Sequence, residues 1–290
     1  MRGRICLVTG GSSGVGRATA AGLAGLGATI LLVSRDPVRG ERAAEEIRRG
    51  TGNPEVRFLA CDLSLQREVR RLAREVSERH RVLHVLANCA GWLSLRREVT
   101  EEGIERTLAV DYLGHFLLTA LLLDRLRAGA PSRVITVAGG PGLLRRLRLR
   151  LDLLERDAAA VREILPGVSS ALQAALARVL FTCELARRLQ GSGVTANAFH
   201  PGLVRTRLDR NLPWPLRLPV RLVSPLLRAD CPSAVFLASS PAVEGCSGLL
   251  FARGRPVDLR PLAGDLDTAR RLWDVSERLT GERLTGVAQP

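Results

Sequence analysis

The sequence predicts a single α/β domain, a doubly wound parallel sheet covered by helices on both faces. Three observations predict it. Short apolar runs alternate with helical stretches along all 290 residues. The first run ends in a glycine-rich turn that leads directly into an Ala-rich helical pattern. Hydrophobic residues make up 46% of the chain, enough for one well-buried core and too many for a disordered chain. Strands separated by helices of this length imply right-handed crossovers, and hence a parallel sheet.

The elements follow in order. Ile5-Cys6-Leu7-Val8-Thr9 is the first strand, and residues 17–26 open the first helix. Residues 28–34 form a buried second strand, and 37–50 a helix stopped by Gly52-Asn53-Pro54. A third strand covers 55–61. Ser64 is then the expected N-cap of a charged helix running to His80. Residues 82–87 are a fourth strand, 100–126 one long helix, and 133–137 a fifth strand. A helix at 171–190, a sixth strand at 194–199 and a seventh at 248–251 complete the domain. The expected division is a main unit over 1–265, with a lid at about 203–230, and a C-terminal helix and tail over 266–290.

Composition narrows the function classes. The chain has no lysine, so all 43 basic residues are arginine; with 29 acids they give a net charge of +14. Such a balance fits nucleic acid, an anionic membrane surface or a phosphorylated cofactor. A GC-rich coding sequence that favours arginine explains it equally well. Aromatics at 3% argue against a single-strand stacking platform, so nucleic acid ranks last. The six cysteines are scattered without a Cys-x-x-Cys pair and read as reduced thiols rather than a metal site. No run of eighteen uncharged apolar residues occurs, and Met1-Arg2-Gly3-Arg4 leads straight into the first strand. The expectation is a cytoplasmic protein, with peripheral membrane contact as an alternative.

The first turn reads Thr9-Gly10-x-x-x-Gly14-x-Gly16. Glycines there let backbone N–H groups and a helix N-terminus approach a phosphate. Taken alone, the pattern also fits a tight turn without a ligand. Asp62-Leu63 follows the third strand, Asn88-Cys89-Ala90-Gly91 the fourth, and Pro201-Gly202-x-Val204-x-Thr206 the sixth. Together with Gly114-His115-Phe116-Leu117-Leu118-Thr119 and the run from Val179 to Ala186, these motifs resemble the short-chain dehydrogenase/reductase family, closest to its retinol dehydrogenase-like branch. The resemblance spans nearly the whole chain and implies a Rossmann-type fold. It implies a dinucleotide held by Thr9, Gly10, Ser12, Ser13, Gly14, Val15, Gly16 and Arg17. Asp62 and Leu63 are implied at the adenine, Asn88, Ala90 and Gly91 as further cofactor-binding residues, and Pro201, Gly202, Val204 and Thr206 at the nicotinamide. Arg35 ends the second strand, where a carboxylate would select NAD(H). Two guanidiniums, Arg35 and Arg17, suit a 2′-phosphate, so NADP(H) is the expected cofactor; Asp36 leaves NAD(H) as the alternative. The family commonly pairs through the helices after the fourth and fifth strands, which implies a homodimer.

The catalytic positions depart from the family pattern. Family members use a Tyr-x-x-x-Lys pair, a Ser that polarises the carbonyl and an Asn that supports a water relay. Alignment puts Ala171, Ala175, Gly139 and Asp111 at those places. The only tyrosine, Tyr112, lies on another helix. Substitute proton donors are Ser169, Ser170, His115 and His200, although a serine without an activating base is a poor acid. The favoured expectation is a catalytically impaired, pseudoenzyme-like member that binds a nucleotide and takes an apolar or lipid-like ligand or a partner. The alternative is an active NADP-dependent oxidoreductase that acts on a retinoid- or steroid-like carbonyl or alcohol with an unorthodox donor. Two Leu/Arg stretches, 143–154 and 212–223, read either as segments packed on one face and solvated on the other or as contacts to an anionic, apolar surface.

Overall fold

The apolar run Ile5–Thr9 forms the centre of the sheet because its neighbours on both sides are equally apolar. In the computed structural model, which describes residues 1–151, 166–206, 211, 214, 227–258 and 265–284, β1 (Ile5–Thr9) pairs in parallel with β2 (Thr29–Ser34) and β4 (Val85–Asn88). β3 (Val56–Ala60) lies outside β2. β5 (Ser132–Val137), β6 (Val194–His200), β7 (Leu250–Ala252) and β8 (Arg255–Val257) extend the other side, in the order β3-β2-β1-β4-β5-β6-β7-β8. The chain winds outward from β1 in one direction through β2 and β3, then returns to β4 and winds the other way. The doubly wound expectation holds.

Side-chain alternation assigns each face its helices. Leu7, Leu31 and Val33 point into a layer with α3 (Gln66–Arg79), α5 (Gly114–Leu121) and α8 (Pro166–Arg188). Cys6, Val8, Ile30 and Leu32 point into the opposite layer, with α1 (Gly14–Gly25), α2 (Pro37–Thr51) and α9 (Pro232–Ser239). α8 is long and apolar enough to cross a membrane by length and composition. Its Leu176, Ala177, Val179, Leu180 and Phe181 are buried in the core, as in the central helix of a globular domain.

Several expectations shift. The helix expected from residue 100 begins at Arg106, because Thr100 and Gly103 build a turn first: Ile104 N–H donates to Thr100 Oγ1, and Gly103 has φ +78°. Glu105 then accepts from Leu108 N–H. The helix runs as α4 (Arg106–Leu108), a π turn at Ala109–Leu113, α5 and, after a break at Leu122, α6 (Leu123–Ala128). Ser64 is not the N-cap of α3. Leu65 holds that place, Ser64 donates to Asp62, and Glu102 receives the first helical N–H groups at 2.7 and 3.3 Å. β8 was not expected; it returns antiparallel on β7 through a turn in which Arg253 has φ 52°. α7 (Pro141–Leu144) opens the first Leu/Arg stretch. There Leu144 is fully buried, Leu147 and Leu149 pack on the core, and Arg145, Arg146, Arg148 and Arg150 are exposed. This is the packed-and-solvated arrangement. The second stretch lies outside the described residues except for Trp214, which is exposed.

The C-terminal helix α10 (Leu266–Thr280) crosses α8 and α5. Trp273, 1% exposed, stacks on Phe181 at 5.9 Å and meets Phe116 edge-on at 5.2 Å. Arg188 lies 4.3 Å from the Trp273 ring centroid, and Tyr112 shares a 2.7 Å hydrogen bond with Ser276. Tyr112 is thereby committed to the core. The same packing covers α5 and α8, so pairing two copies through the surface that α10 covers would require displacing it. Trp273→Ala is expected to lower the unfolding free energy by about 3–5 kcal/mol, as for other large-to-small core changes, measured by urea denaturation.

Candidate functional site

A cavity of about 340 Å³ opens at the carboxyl ends of the parallel strands, where the winding reverses between β1 and β4. This is where open α/β sheets place their ligands. The turn after β1 forms its floor. Gly10 has φ +68°, and a Cβ there would stand 2.8 Å from the Cα of Ala90. A Cβ on Gly16 would stand 2.5 Å from the Gly10 carbonyl oxygen. Both glycines are therefore demanded by backbone contact, Gly10 by its conformation as well. Gly10, Ser12, Ser13, Gly14 and Val15 line the cavity. Ser13 caps α1 without a side-chain hydrogen bond, which leaves the first helical N–H groups available to an anion.

Thr9 lies behind the turn and ties three elements together. Its Oγ1 accepts from Cys89 N–H at 2.9 Å and Ala90 N–H at 3.1 Å, and lies 3.3 Å from both the Ala87 carbonyl and His115 Nε2. Thr9 thus holds the cavity wall without lining it. Asn88 is fully buried and donates to Thr119 Oγ1, while Ala90 and Gly91 face the cavity.

At the end of β2 the two predicted cations separate. Arg35 lines the cavity, 3.7 Å from Asp62 Oδ2. Arg17 instead faces α2 and pairs with Glu46 at 2.7 Å, away from the lining, because the first turn of α1 packs beside α2. Arg39 takes its place on the rim, held at 2.6 Å by Asp36. Asp36 accepts both the N–H and the side chain of Arg39, which hold its carboxyl below the usual range. Asp62 and Leu63 line the same side, with Val110 from the π turn.

Gly139, Ala171 and Ala175 meet at the inner end, as the alignment requires. None carries a group able to hold a proton. A Cβ on Gly139 would make ordinary contacts with Leu144 and Ala175, at 3.4 and 3.5 Å. Beside them, in the same lining, is a buried ion pair: Arg178 donates to Asp111 Oδ2 at 2.6 Å and to the Val137 carbonyl at 3.1 Å. Asp111 Oδ1 accepts Trp92 N–H at 2.6 Å. Burial raises the Asp111 carboxyl to about 7, against the opposing pull of Arg178 and of the Trp92 N–H. Both its oxygens are committed.

The proposed substitutes are not brought to the cavity lining. His115 is fully buried, with Nδ1 3.1 Å from the Asp111 carbonyl, which places the proton on Nδ1 and leaves Nε2 to accept from Thr9. Burial, then Arg178, pushes it down to about 3, so the ring is neutral at pH 7. His200 is lowered by burial too, and with Ser169 and Ser170 it stands outside the lining. Past β6, Pro201 and Thr206 line the cavity, and Thr206 packs on Gly14. Gly202 and Val204 do not; Val204 is buried and bridges Arg228. That bridge joins the two ends of the expected lid. Asn211, between them, donates to the Leu93 carbonyl at 3.0 Å, beside the cavity.

The sequence reading missed Trp92, Arg39 and Arg178. For Arg178 there was a signal: an arginine inside the apolar run Leu176 to Phe181, one turn beyond Ala175, needs a buried partner.

A strand–turn–helix phosphate cradle at the switch point of a parallel sheet defines a Rossmann-type dinucleotide-binding protein. Residues 4–148 match the short chain dehydrogenase family model. The chain is 39% identical to human retinol dehydrogenase 14, covering 97% of this chain and 87% of that one. It is also 39% identical to mouse retinol dehydrogenase 13, with coverages of 96% and 84%. Among solved structures, a Mycobacterium paratuberculosis protein superposes with a TM-score of 0.75 at 30% identity, covering 98% and 95% of the two chains. A Beutenbergia cavernae structure, described as an NAD(P)-dependent gluconate 5-dehydrogenase with bound NADP, gives a TM-score of 0.65 at 26% identity, with coverages of 87% and 95%. The chain belongs to the short-chain dehydrogenase/reductase family, in its retinol dehydrogenase-like branch.

Two outcomes follow from the buried charges. Arg178→Met strands a buried carboxylate and is expected to cost about 3–5 kcal/mol; adding Asp111→Leu restores much of the loss, as a denaturation double-mutant cycle would show. His115 has a folded value near 3 against 6.5 for the free group. Between those values the unfolded chain binds a proton that the folded chain does not. His115 therefore contributes stability that is lost as pH drops below about 6.5, by up to about 1.4 kcal/mol per pH unit, while Asp111, raised from 3.8 to about 7 by burial, contributes the opposite slope between its own two values. His115→Gln should gain stability relative to the native protein as pH drops from about 6.5 toward 3, measured by urea denaturation across that range.

Proposed function

We propose that this protein binds NADP(H) and does not perform the hydride-transfer chemistry of its family. The observation that carries the proposal is the contrast between the two ends of the cavity. At the outer end the backbone cradle is complete. At the inner end Gly139, Ala171 and Ala175 stand where a carbonyl donor, an acid and a cation, in that order, would be needed.

The residues present fit the cofactor. Gly10 makes a close approach that a side chain would block, and the uncapped start of α1 suits a pyrophosphate. Ser12 to Val15 would hold that group, Arg35 and Arg39 a 2′-phosphate, and Asp62, Leu63 and Val110 the adenosine. Pro201 and Thr206 would face the nicotinamide, with Gly202 and Val204 shaping their turn. The NADP bound to the Beutenbergia cavernae relative supports the same reading.

When bound, NADPH supplies a hydride. Reduction of a carbonyl also needs a proton donor and a group to polarise the oxygen. A positioned acid–base group contributes about 10²–10⁴-fold; the titratable carboxyl in the lining at the reacting end, Asp111, has both oxygens committed to Arg178 and the Trp92 N–H. Around the Asp111–Arg178 pair, Ala138, Ala171, Ala175 and Leu93 make that end largely apolar, which suits a retinoid-like or other apolar ligand bound without being turned over.

Calorimetry with NADPH and NADH tests binding, and NADPH oxidation in the presence of retinaldehyde or a steroid ketone tests chemistry. The expected result is NADPH binding without turnover. The triple variant Gly139→Ser, Ala171→Tyr, Ala175→Lys is expected to gain reduction where the native protein has none. Robust reduction by the native protein overturns the proposal.

A further inference from the structure

Trp92 follows the Asn88–Gly91 loop, lines the cavity and is 8% exposed. The Arg35 Cζ lies 5.1 Å from its ring centroid, and the Arg106 Cζ lies 5.4 Å from it. Arg106 is held on its other side by Glu98 at 3.5 Å. The Trp92 backbone is fixed by its 2.6 Å bond to Asp111 Oδ1, which Arg178 fixes in turn. The ring therefore belongs to the rigid base of the cavity, whereas Arg35 is a long side chain, 40% exposed, at its rim.

Arg35 has competing partners nearby. Asp62 lies 3.7 Å from it, while Asp36, next in sequence, is taken by Arg39. Left to Asp62 alone, the guanidinium would have a carboxylate in place of a ligand phosphate. An aromatic ring attracts a guanidinium through the ring face and leaves its N–H edges free. Those edges are what a phosphate engages, often with two N–H groups at once.

Resting on the NADP(H) reading above, we propose that Trp92 is a positioning residue for 2′-phosphate recognition. It holds Arg35 at the cavity rim and thereby sets the preference for the 2′-phosphorylated dinucleotide over its 2′-hydroxyl counterpart. The residue acts through Arg35 and touches no reacting atom.

The test is the ratio of NADPH to NADH affinity, measured by calorimetry on the full chain for the native protein, W92F, W92L and R35M. A merely structural role would weaken both dinucleotides together and leave the ratio unchanged. The ratio is expected to fall about three- to thirtyfold in W92L and part of the way in W92F, which keeps a smaller ring in the same space. R35M should fall at least as far, and W92L should add nothing to it. Binding of 2′,5′-ADP should weaken in the same variants while 5′-ADP is unaffected. If W92L does not fold, W92F and R35M carry the comparison. A native preference for NADPH that both Trp92 variants keep while R35M loses it overturns this proposal and leaves the cofactor reading standing. Failure of the native protein to bind either dinucleotide overturns both.

Discussion

The close contact between the β1 turn and the β4 loop is the constraint on which the site depends. Gly10 lies against the Ala90 backbone, and Thr9 Oγ1 receives the N–H groups of Cys89 and Ala90. One hydroxyl and one missing side chain thus lock two parallel strands at the point where the winding reverses. The cavity opens there because the chain leaves β1 and β4 for helices on opposite faces of the sheet. His115 supports it from behind, neutral and dry, by accepting from Thr9 with one ring nitrogen while the other donates to the Asp111 carbonyl. A histidine in this position is part of the frame, which is why its burial makes it useless as a proton donor.

The inner end follows a different logic. Asp111 and Arg178 form a pair that connects the π turn, α8, β5 and, through Trp92, the loop after β4. A buried ion pair gains little net stability over apolar packing, yet losing one partner is costly. The two residues are therefore bound to each other by energetics as well as by distance. The π turn at Ala109–Leu113 presents Asp111 toward α8, and such irregular turns are frequent where a helix meets a functional cavity. Here the charge of each residue is spent on the other, beside three positions that carry only Ala and Gly. Backbone contacts that shape the cavity are intact, and the carboxyl that lines its inner end is held in an ion pair.

Much of this was legible in the sequence, for identifiable reasons. Strands β1 to β6 are apolar runs bounded by glycine, proline or a cap residue, so their order followed from local pattern. Gly10, Gly14 and Gly16 marked the turn because the backbone contact they permit excludes other residues. The failures were equally physical. Arg17 and Arg35 looked equivalent as two arginines near one turn, but α2 presents Glu46 to the first and leaves the second at the cavity. Ser64 had the chemistry of a cap, and Asp62 took its hydroxyl. The helix expected from residue 100 starts six residues late because Thr100 closes a local turn that propensity alone does not reveal.

By itself the sequence determined the fold class, the place of the phosphate turn and the absence of the family's tyrosine and lysine, since each depends on residue type and short-range order. Tertiary structure alone decided which charges are free to meet a ligand. Arg178 and Asp111 stand 67 residues apart and meet only because α8 crosses the π turn. Trp92 and Arg35 belong to different strand ends and meet only at the carboxyl edge of the sheet. Partnership between distant side chains is set by the packing of whole elements, and no local pattern encodes it.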